Sequence, residues 1–177
     1  MWKSITILMG PPGSGKTTLG KHVASITDNV FFVSVGEYMR NNLHLTPPFE
    51  DTNRIAIFEE IIFEEFGTKE KKHLIVDCNP FPPEMWDAVS KQLIHFETVR
   101  LLSMSADINT LQKRLDSRNR KDHLMFSNKK RLDYYFKKVE PAINKIRNEK
   151  IIEHLQNETA DDYKKCVETT INIYEKS

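Results

Sequence analysis

The sequence is short of net charge, of cysteine and of long apolar runs, and each shortage removes a class of protein. Its 26 Lys and Arg stand against 25 Asp and Glu for a formal charge of +1, which excludes a uniformly basic nucleic-acid binder. The two cysteines, Cys78 and Cys166, lie 88 positions apart with no CxxC pair and no neighbouring histidine pair. A disulfide framework and a zinc site are therefore not indicated, and free thiols fit a reducing compartment, with the cytoplasm expected. No stretch approaches the ~20 apolar residues that span a bilayer. The apolar start at Ile5–Met9 runs directly into a glycine-rich motif with no small-residue cleavage site, so it does not read as a signal peptide. No internal repeat, low-complexity tract or linker interrupts the chain.

What is present fits one ordinary globular domain covering residues 1–177, with 39% hydrophobic and 29% charged residues. The neutrality conceals a segregation. Residues 50–70 hold seven acids against Arg54 and Lys69, a net of −5, whereas residues 111–150 hold thirteen Lys and Arg against five acids, a net of +8. Positive charge concentrated in one stretch of a neutral chain predicts an anion there.

Hydrophobic periodicity predicts strands alternating with helices. Ile5–Met9, Val30–Val35, His73–Asp77, Thr98–Met104 and Ile151–Ile152 read as buried strands. Helices are predicted from Gly15 to about Ile26, Asp51 to Phe66, Glu84 to about Ile94, after Asp107, over Ser127–Asn148 and over 160–174. Gly36 reads as the break after the second strand. In the helix after Asp107, Ile108, Leu111 and Leu115 are expected to face inward. In the helix over 51–66, Ile55, Phe58, Ile62 and Phe66 make the apolar stripe. This alternation predicts an α/β fold: a five-stranded parallel sheet with helices on both faces.

The segment Gly10-Pro-Pro-Gly13-Ser14-Gly15-Lys16-Thr17 fits G-x-x-x-x-G-K-[ST] at every fixed position. Chance supplies such a match in roughly one chain in two hundred of this length. Here a predicted strand also precedes it and a helix follows it, as the chemistry requires. Glycines let successive N–H groups turn onto phosphate oxygens, and the helix N-terminus adds its dipole. Lys16 is predicted to reach the β- and γ-phosphates, and the Thr17 hydroxyl to hold Mg²⁺, with Ser14 and Thr18 completing the cradle. The expected ligand is ATP, or another nucleoside triphosphate, with Mg²⁺.

Beyond this cradle the whole chain resembles the adenylate kinase-like nucleoside monophosphate kinases, and looks like a short-lid variant of these P-loop kinases. Ser34-Val-Gly36-Glu-Tyr-Met-Arg40 is similar to that family's Ser-Thr-Gly-Asp-x-x-Arg, whose arginine grips the acceptor monophosphate. Leu74–Asp77 before a proline-bearing turn resembles its Asp-Gly-Phe-Pro-Arg, whose aspartate organises the magnesium water shell. Arg114 and Arg118 match a pair of arginines four apart, the first near the donor base and the second on phosphate. Arg120-Lys-Asp122 resembles Arg-x-Asp-Asp, and Arg131 and Pro141 follow at the family's intervals of eleven and ten residues. The resemblance implies Lys16, Arg118, Arg120 and Arg131 as catalytic groups, Arg114 at the donor nucleotide, Gly36 and Arg40 at the acceptor, and Asp77 beside the metal. Asp77 also has a simpler reading as a strand-end cap.

The physical sense is independent of the resemblance. Phosphoryl transfer asks a protein for cations on the migrating charge, in-line geometry and exclusion of water. Guanidinium forks suit phosphate oxygens in a way lysine does not.

The chain departs from the family in five places. Only Asn119 separates Arg118 from Arg120, so the lid is reduced to about 118–121. The acceptor insert, about 36–68, is short between Arg40 and Asp51 and holds Thr46-Pro47-Pro48. Phe81 stands where a second acceptor arginine is expected, and Val35 where the family has threonine. Near the family's base-reading glutamine stands Glu84, which either accepts from a base N–H edge or caps its helix. The expected activity is phosphoryl transfer to a nucleoside monophosphate by a monomer acting on small nucleotides, with no membrane partner and nucleic acid left as an open alternative. Two alternatives are a kinase of another small acceptor and an RNA-associated ATPase using the 111–150 stretch.

Overall fold

The computed structural model describes residues 2–41, 56–61, 73–78, 90–91, 93–118, 127–149 and 152–175. Strand β1 (Trp2–Met9) is followed by helix α1 (Lys16–Ile26), β2 (Val30–Ser34) and α2 (Val35–Asn41). Residues 56–61 form helix, here α3, and β3 is His73–Asp77. A 3-10 turn at Leu93–His95 leads into β4 (Phe96–Ser105) and α4 (Ile108–Asp116). Helices α5 (Asn128–Tyr134) and α6 (Glu140–Glu149) flank a π segment at Tyr135–Val139, and β5 (Ile152–Gln156) and α7 (Ala160–Glu175) follow.

The five strands form one sheet in the order β2-β3-β1-β4-β5, and every pairing is parallel. Both faces of the sheet are covered, and the strands show it where apolar residues follow one another, at Ile7–Met9 of β1 and Leu74–Val76 of β3. Ile5, Ile7, Met9, Leu74 and Val76 point to one face, against Val35 and Met39 of α2, Phe58 and Ile61 of α3, and Tyr135, Val139 and Ile143. Leu8, Ile75, Leu102 and Met104 point to the other, against Leu19 and Val23 of α1 and Cys166, Val167 and Tyr174 of α7. The second face also buries polar pairs: Ser4 Oγ lies 2.8 Å from His73 Nδ1, and Tyr174 donates to Thr6 Oγ1 at 2.7 Å. A third, smaller cluster of Leu111, Leu115 and Leu132 packs α4 on α5.

Several boundaries differ from the sequence expectation for identifiable reasons. Gly36 does not break the chain; it lies in α2, which begins directly after β2. Ile108 is 55% exposed, so only Leu111 and Leu115 carry the inward face of α4. Asp107 caps that helix as predicted, accepting from the backbone N–H groups of Asn109 and Thr110. The predicted helix over 127–148 is divided by the π segment. Pro141 explains the division: it has no N–H for the Lys137 carbonyl and its ring crowds that carbonyl. Within the segment Glu140 N–H donates to Tyr135 O, five residues back. Of Tyr134, Tyr135 and Phe136, Tyr135 is buried, Phe136 packs on it edge-to-face, and Tyr134 is 53% exposed. Strand β5 is longer than the expected pair of residues. Of the helix predicted over 51–66, the described residues 56–61 bury Ile57, Phe58 and Ile61; Ile55, Ile62 and Phe66 lie outside the described residues. Both cysteines are buried and neither is in a disulfide. No helix among the described residues is long and apolar enough to cross a membrane.

Candidate active site

All five strands run parallel, so their C-terminal ends line one edge of the sheet, where open α/β sheets bind ligands. The loop after β1 occupies the middle of that edge. Its conformation depends on glycine at two points. Gly10 has φ +140, and a Cβ there would lie 2.1 Å from Met104 O of the neighbouring strand. Gly15 has φ +98 and serves as the N-cap of α1. The turn is closed by Ser14 N–H donating to Pro11 O at 3.2 Å.

Lys16, the first residue of α1, is 7% exposed. Its Nζ donates to Gly10 O at 2.8 Å, to Pro11 O at 3.0 Å and to Ser14 Oγ at 3.4 Å, so the ammonium sits inside the loop's curve. Burial holds its pKa below the ordinary lysine value. Asp77 opposes that shift, the Arg118 guanidinium adds to it, and Cys78 opposes it. Asp77 and Arg118 therefore lie within electrostatic reach of Lys16 at the cradle.

Register brings Asp77 there. It ends β3 opposite Leu8 of β1 and Ser34 of β2, on the sheet face that α1 covers. Thr17 Oγ1 in the first turn of α1 donates to Asp77 Oδ2 at 2.5 Å, and Ser34 Oγ donates to the same oxygen at 3.4 Å. Thr17 and Asp77 present a hydroxyl and a carboxylate side by side, hard oxygen donors suited to Mg²⁺ shared with phosphate oxygens. Among the described residues no cluster of three or more His, Cys, Asp or Glu could hold a metal by itself.

The remaining predicted residues are placed as follows. Arg114, on α4, is half-buried; its Nη1 donates to Asn157 O at 2.8 Å and Gly13 O at 3.5 Å, and its Nη2 to Glu158 O at 3.2 Å. It therefore ties the cradle to the turn after β5. Arg131 is half-buried on α5. Arg40 is half-buried in the last turn of α2, with Nη1 3.5 Å from where a Gly36 Cβ would stand. Thr18 is exposed, and its carbonyl accepts from Tyr163 of α7 at 3.5 Å. Arg120, Phe81, Glu84 and Thr46-Pro47-Pro48 lie outside the described residues.

Sequence reasoning assigned no role to Ser34 or Asn157. Asn157 is 4% exposed and its Nδ2 donates to Ser14 O at 2.7 Å. Its signal was available: a polar residue at the C-terminal end of a parallel strand is where a ligand crevice forms.

A family profile described as "AAA domain" matches residues 6–135 of the 177, taking in the cradle, Asp77, Arg114, Arg118 and Arg131. The chain belongs to the AAA-domain family. Within it, the chain is similar to an adenylate kinase from Cyanothece sp., at 29% identity over 160 residues, with 81% of this chain and 82% of that protein covered. Among solved structures it resembles a sugar kinase from Janibacter sp., with a TM-score of 0.66 and 16% identity over 98% of this chain and 95% of that one. A shikimate kinase from Bacteroides thetaiotaomicron gives a TM-score of 0.65 and 17% identity, covering 97% of this chain and 98% of that one. At such identities the structural likeness establishes the fold alone: this AAA-domain chain has the P-loop kinase fold. The resemblance to the adenylate kinase-like P-loop kinases drawn from the motifs is thereby borne out.

Proposed function

We propose that the chain transfers the γ-phosphoryl group of Mg²⁺-ATP to a nucleoside monophosphate. The observation that carries the reading is the single cluster made by Lys16, Thr17, Asp77 and Arg118 at the strand ends. The cradle supplies N–H groups and Lys16 to the β- and γ-phosphates. Bound Mg²⁺ would neutralise charge on the β- and γ-oxygens, with Thr17 and Asp77 as the residues that hold it and its water shell. An oxygen of the acceptor phosphate attacks the γ-phosphorus as the bond to the β-bridging oxygen breaks, leaving ADP. Arg118, with Arg120 and Arg131, is assigned to the charge on the migrating group, and Arg40 and Gly36 to the acceptor phosphate. Phe81 and Glu84 would border the acceptor base. Arg114 acts through the turn after β5, beside the donor.

On this reading the chain is one domain with an acceptor insert at about 36–68 and a lid of about 118–121. So small a lid leaves water exclusion to arginine closure, and slow ATP hydrolysis is expected beside transfer. A second reading, a kinase of another small acceptor, draws on Phe81 at the place of the second acceptor arginine. Incubation with ATP, Mg²⁺ and each common nucleoside monophosphate, resolved by ion-exchange chromatography, separates the two. A nucleoside diphosphate made from one of the acceptors supports the first. Hydrolysis alone with every monophosphate, together with turnover of a sugar or other alcohol, selects the second.

A further inference from the structure

The turn after β5 is bound to the cradle more closely than its place at the sheet edge requires. The Asn157 backbone N–H donates to Ser105 O at 2.9 Å, which anchors the residue to the end of β4. Its side-chain Nδ2 donates to Ser14 O at 2.7 Å, between two buried residues. A Cβ on Gly15 would stand 2.5 Å from the same Nδ2, so the amide lies directly against the Gly15 α-carbon. From the other side, the Arg114 guanidinium holds the Asn157 and Glu158 carbonyls.

We propose that Asn157 is a positioning residue for phosphate binding, fixing the Ser14–Gly15 peptide so that the Gly15 N–H faces into the cradle. The inference rests on the reading of residues 10–17 as a triphosphate site. In a planar trans peptide the C=O and the N–H point in opposite directions. Holding the Ser14 carbonyl out toward Asn157 therefore turns the next N–H inward. Gly15 has the conformational freedom to let that peptide rotate, and the Asn157 amide removes it. A donor aimed before the ligand arrives costs no reorganisation on binding. Arg114 contributes by holding the turn that carries Asn157, rather than by direct contact with Ser14.

The role predicts a selective loss. Inorganic tripolyphosphate reports on the cradle alone, and adenosine on the base site alone. Replacing Asn157 by alanine removes the donor, and replacing it by aspartate keeps the shape but leaves an acceptor-only group. With Mg²⁺ present, both Asn157→Ala and Asn157→Asp are expected to weaken tripolyphosphate and ATP roughly tenfold, the scale of one hydrogen bond to a charged group. Adenosine affinity, from NMR titration, should be unchanged. Wild-type tripolyphosphate affinity in either variant would overturn the assignment, as would an equal loss for adenosine, which marks a merely structural role. If the wild-type chain bound neither ATP nor tripolyphosphate, the cradle reading itself would fail, a separate outcome. Should circular dichroism show both variants unfolded, the wild-type chain decides. Its Gly15 amide resonance should move on adding tripolyphosphate while the Asn157 side-chain amide stays slow to exchange. An unmoved Gly15 amide or a rapidly exchanging Asn157 amide refutes the proposal.

Discussion

Gly10→Ala tests the geometry on which the cradle depends. Two costs arise at this position and they are independent. Gly10 sits at φ +140, where an L-residue is strained by ~1–3 kcal/mol. The added Cβ would also stand 2.1 Å from Met104 O, a backbone atom of a central strand held by ladders on both sides. Overpacking against such a neighbour costs a further ~1–3 kcal/mol. The sum, about 4 kcal/mol, corresponds to a fall in Tm of roughly 8–16 °C for a chain of this size. Thermal unfolding followed by circular dichroism measures it. Gly36→Ala is the matched control. Gly36 lies in helix α2, and its added Cβ would meet Arg40 Nη1 at an ordinary 3.5 Å. That substitution should stabilise by ~0.5–1 kcal/mol, because alanine loses less backbone entropy in a helix. If Gly10→Ala melted within 2 °C or so of the wild type, the loop would not follow the path described and the cradle argument would lose its base.

Other consequences are as specific. Thr17→Val removes the hydroxyl bonded to the buried Asp77 carboxylate, and kcat should fall on the order of a hundredfold, with a loss of Tm of a few degrees at most; undiminished turnover would count against the metal assignment. Lys16 carries a pKa lowered by burial, so between that value and the ordinary 10.5 the unfolded chain holds a proton that the native chain has released. The stability contributed by Lys16 therefore rises with pH across this window. Urea unfolding from pH 8 upward should show the wild type gaining on Lys16→Met, and a constant difference would contradict the shift. Tyr174→Phe removes a buried hydroxyl donor to Thr6 far from the cradle. It should cost about 1 kcal/mol, or roughly 2–4 °C in Tm, while ATP affinity is unchanged; a matching loss of affinity would be unexplained.

Much of the fold was legible because its signals are local. Strands such as Leu74–Val76, apolar at successive positions, announce a sheet covered on both faces, and Asp107 announces its helix by its own chemistry. Helix α2 was less legible. Val35 and Gly36 have poor helix propensity, and tertiary packing of Val35 and Met39 against the sheet overrides it. The π segment depends on Pro141 acting on a carbonyl four residues back, an effect that helical periodicity does not register. At the candidate site, Lys16 and Thr17 were named from the spacing of the 10–17 motif, and Asp77 and Arg118 from the family resemblance. Asn157 was not, since it meets Ser14 across 143 positions and only the parallel closure of β5 beside β4 joins them. The basic stretch at 111–150 also divides on inspection of the structure. Arg114, Arg118 and Arg131 are half-buried, whereas Lys129, Lys130, Lys137 and Lys138 are exposed.

In the proposed reaction one nucleotide places its triphosphate in the 10–17 loop while a second presents its phosphate from the side of Arg40. A crystal structure with a bisubstrate dinucleotide polyphosphate tests it most directly. Phosphate density is expected within the loop against Lys16 and Thr17, with the chain of phosphates passing Arg118 and the second nucleoside reaching Arg40 and Gly36. Polyphosphate density elsewhere on the chain, or only one nucleoside ordered with Arg40 remote from any phosphate, would contradict it.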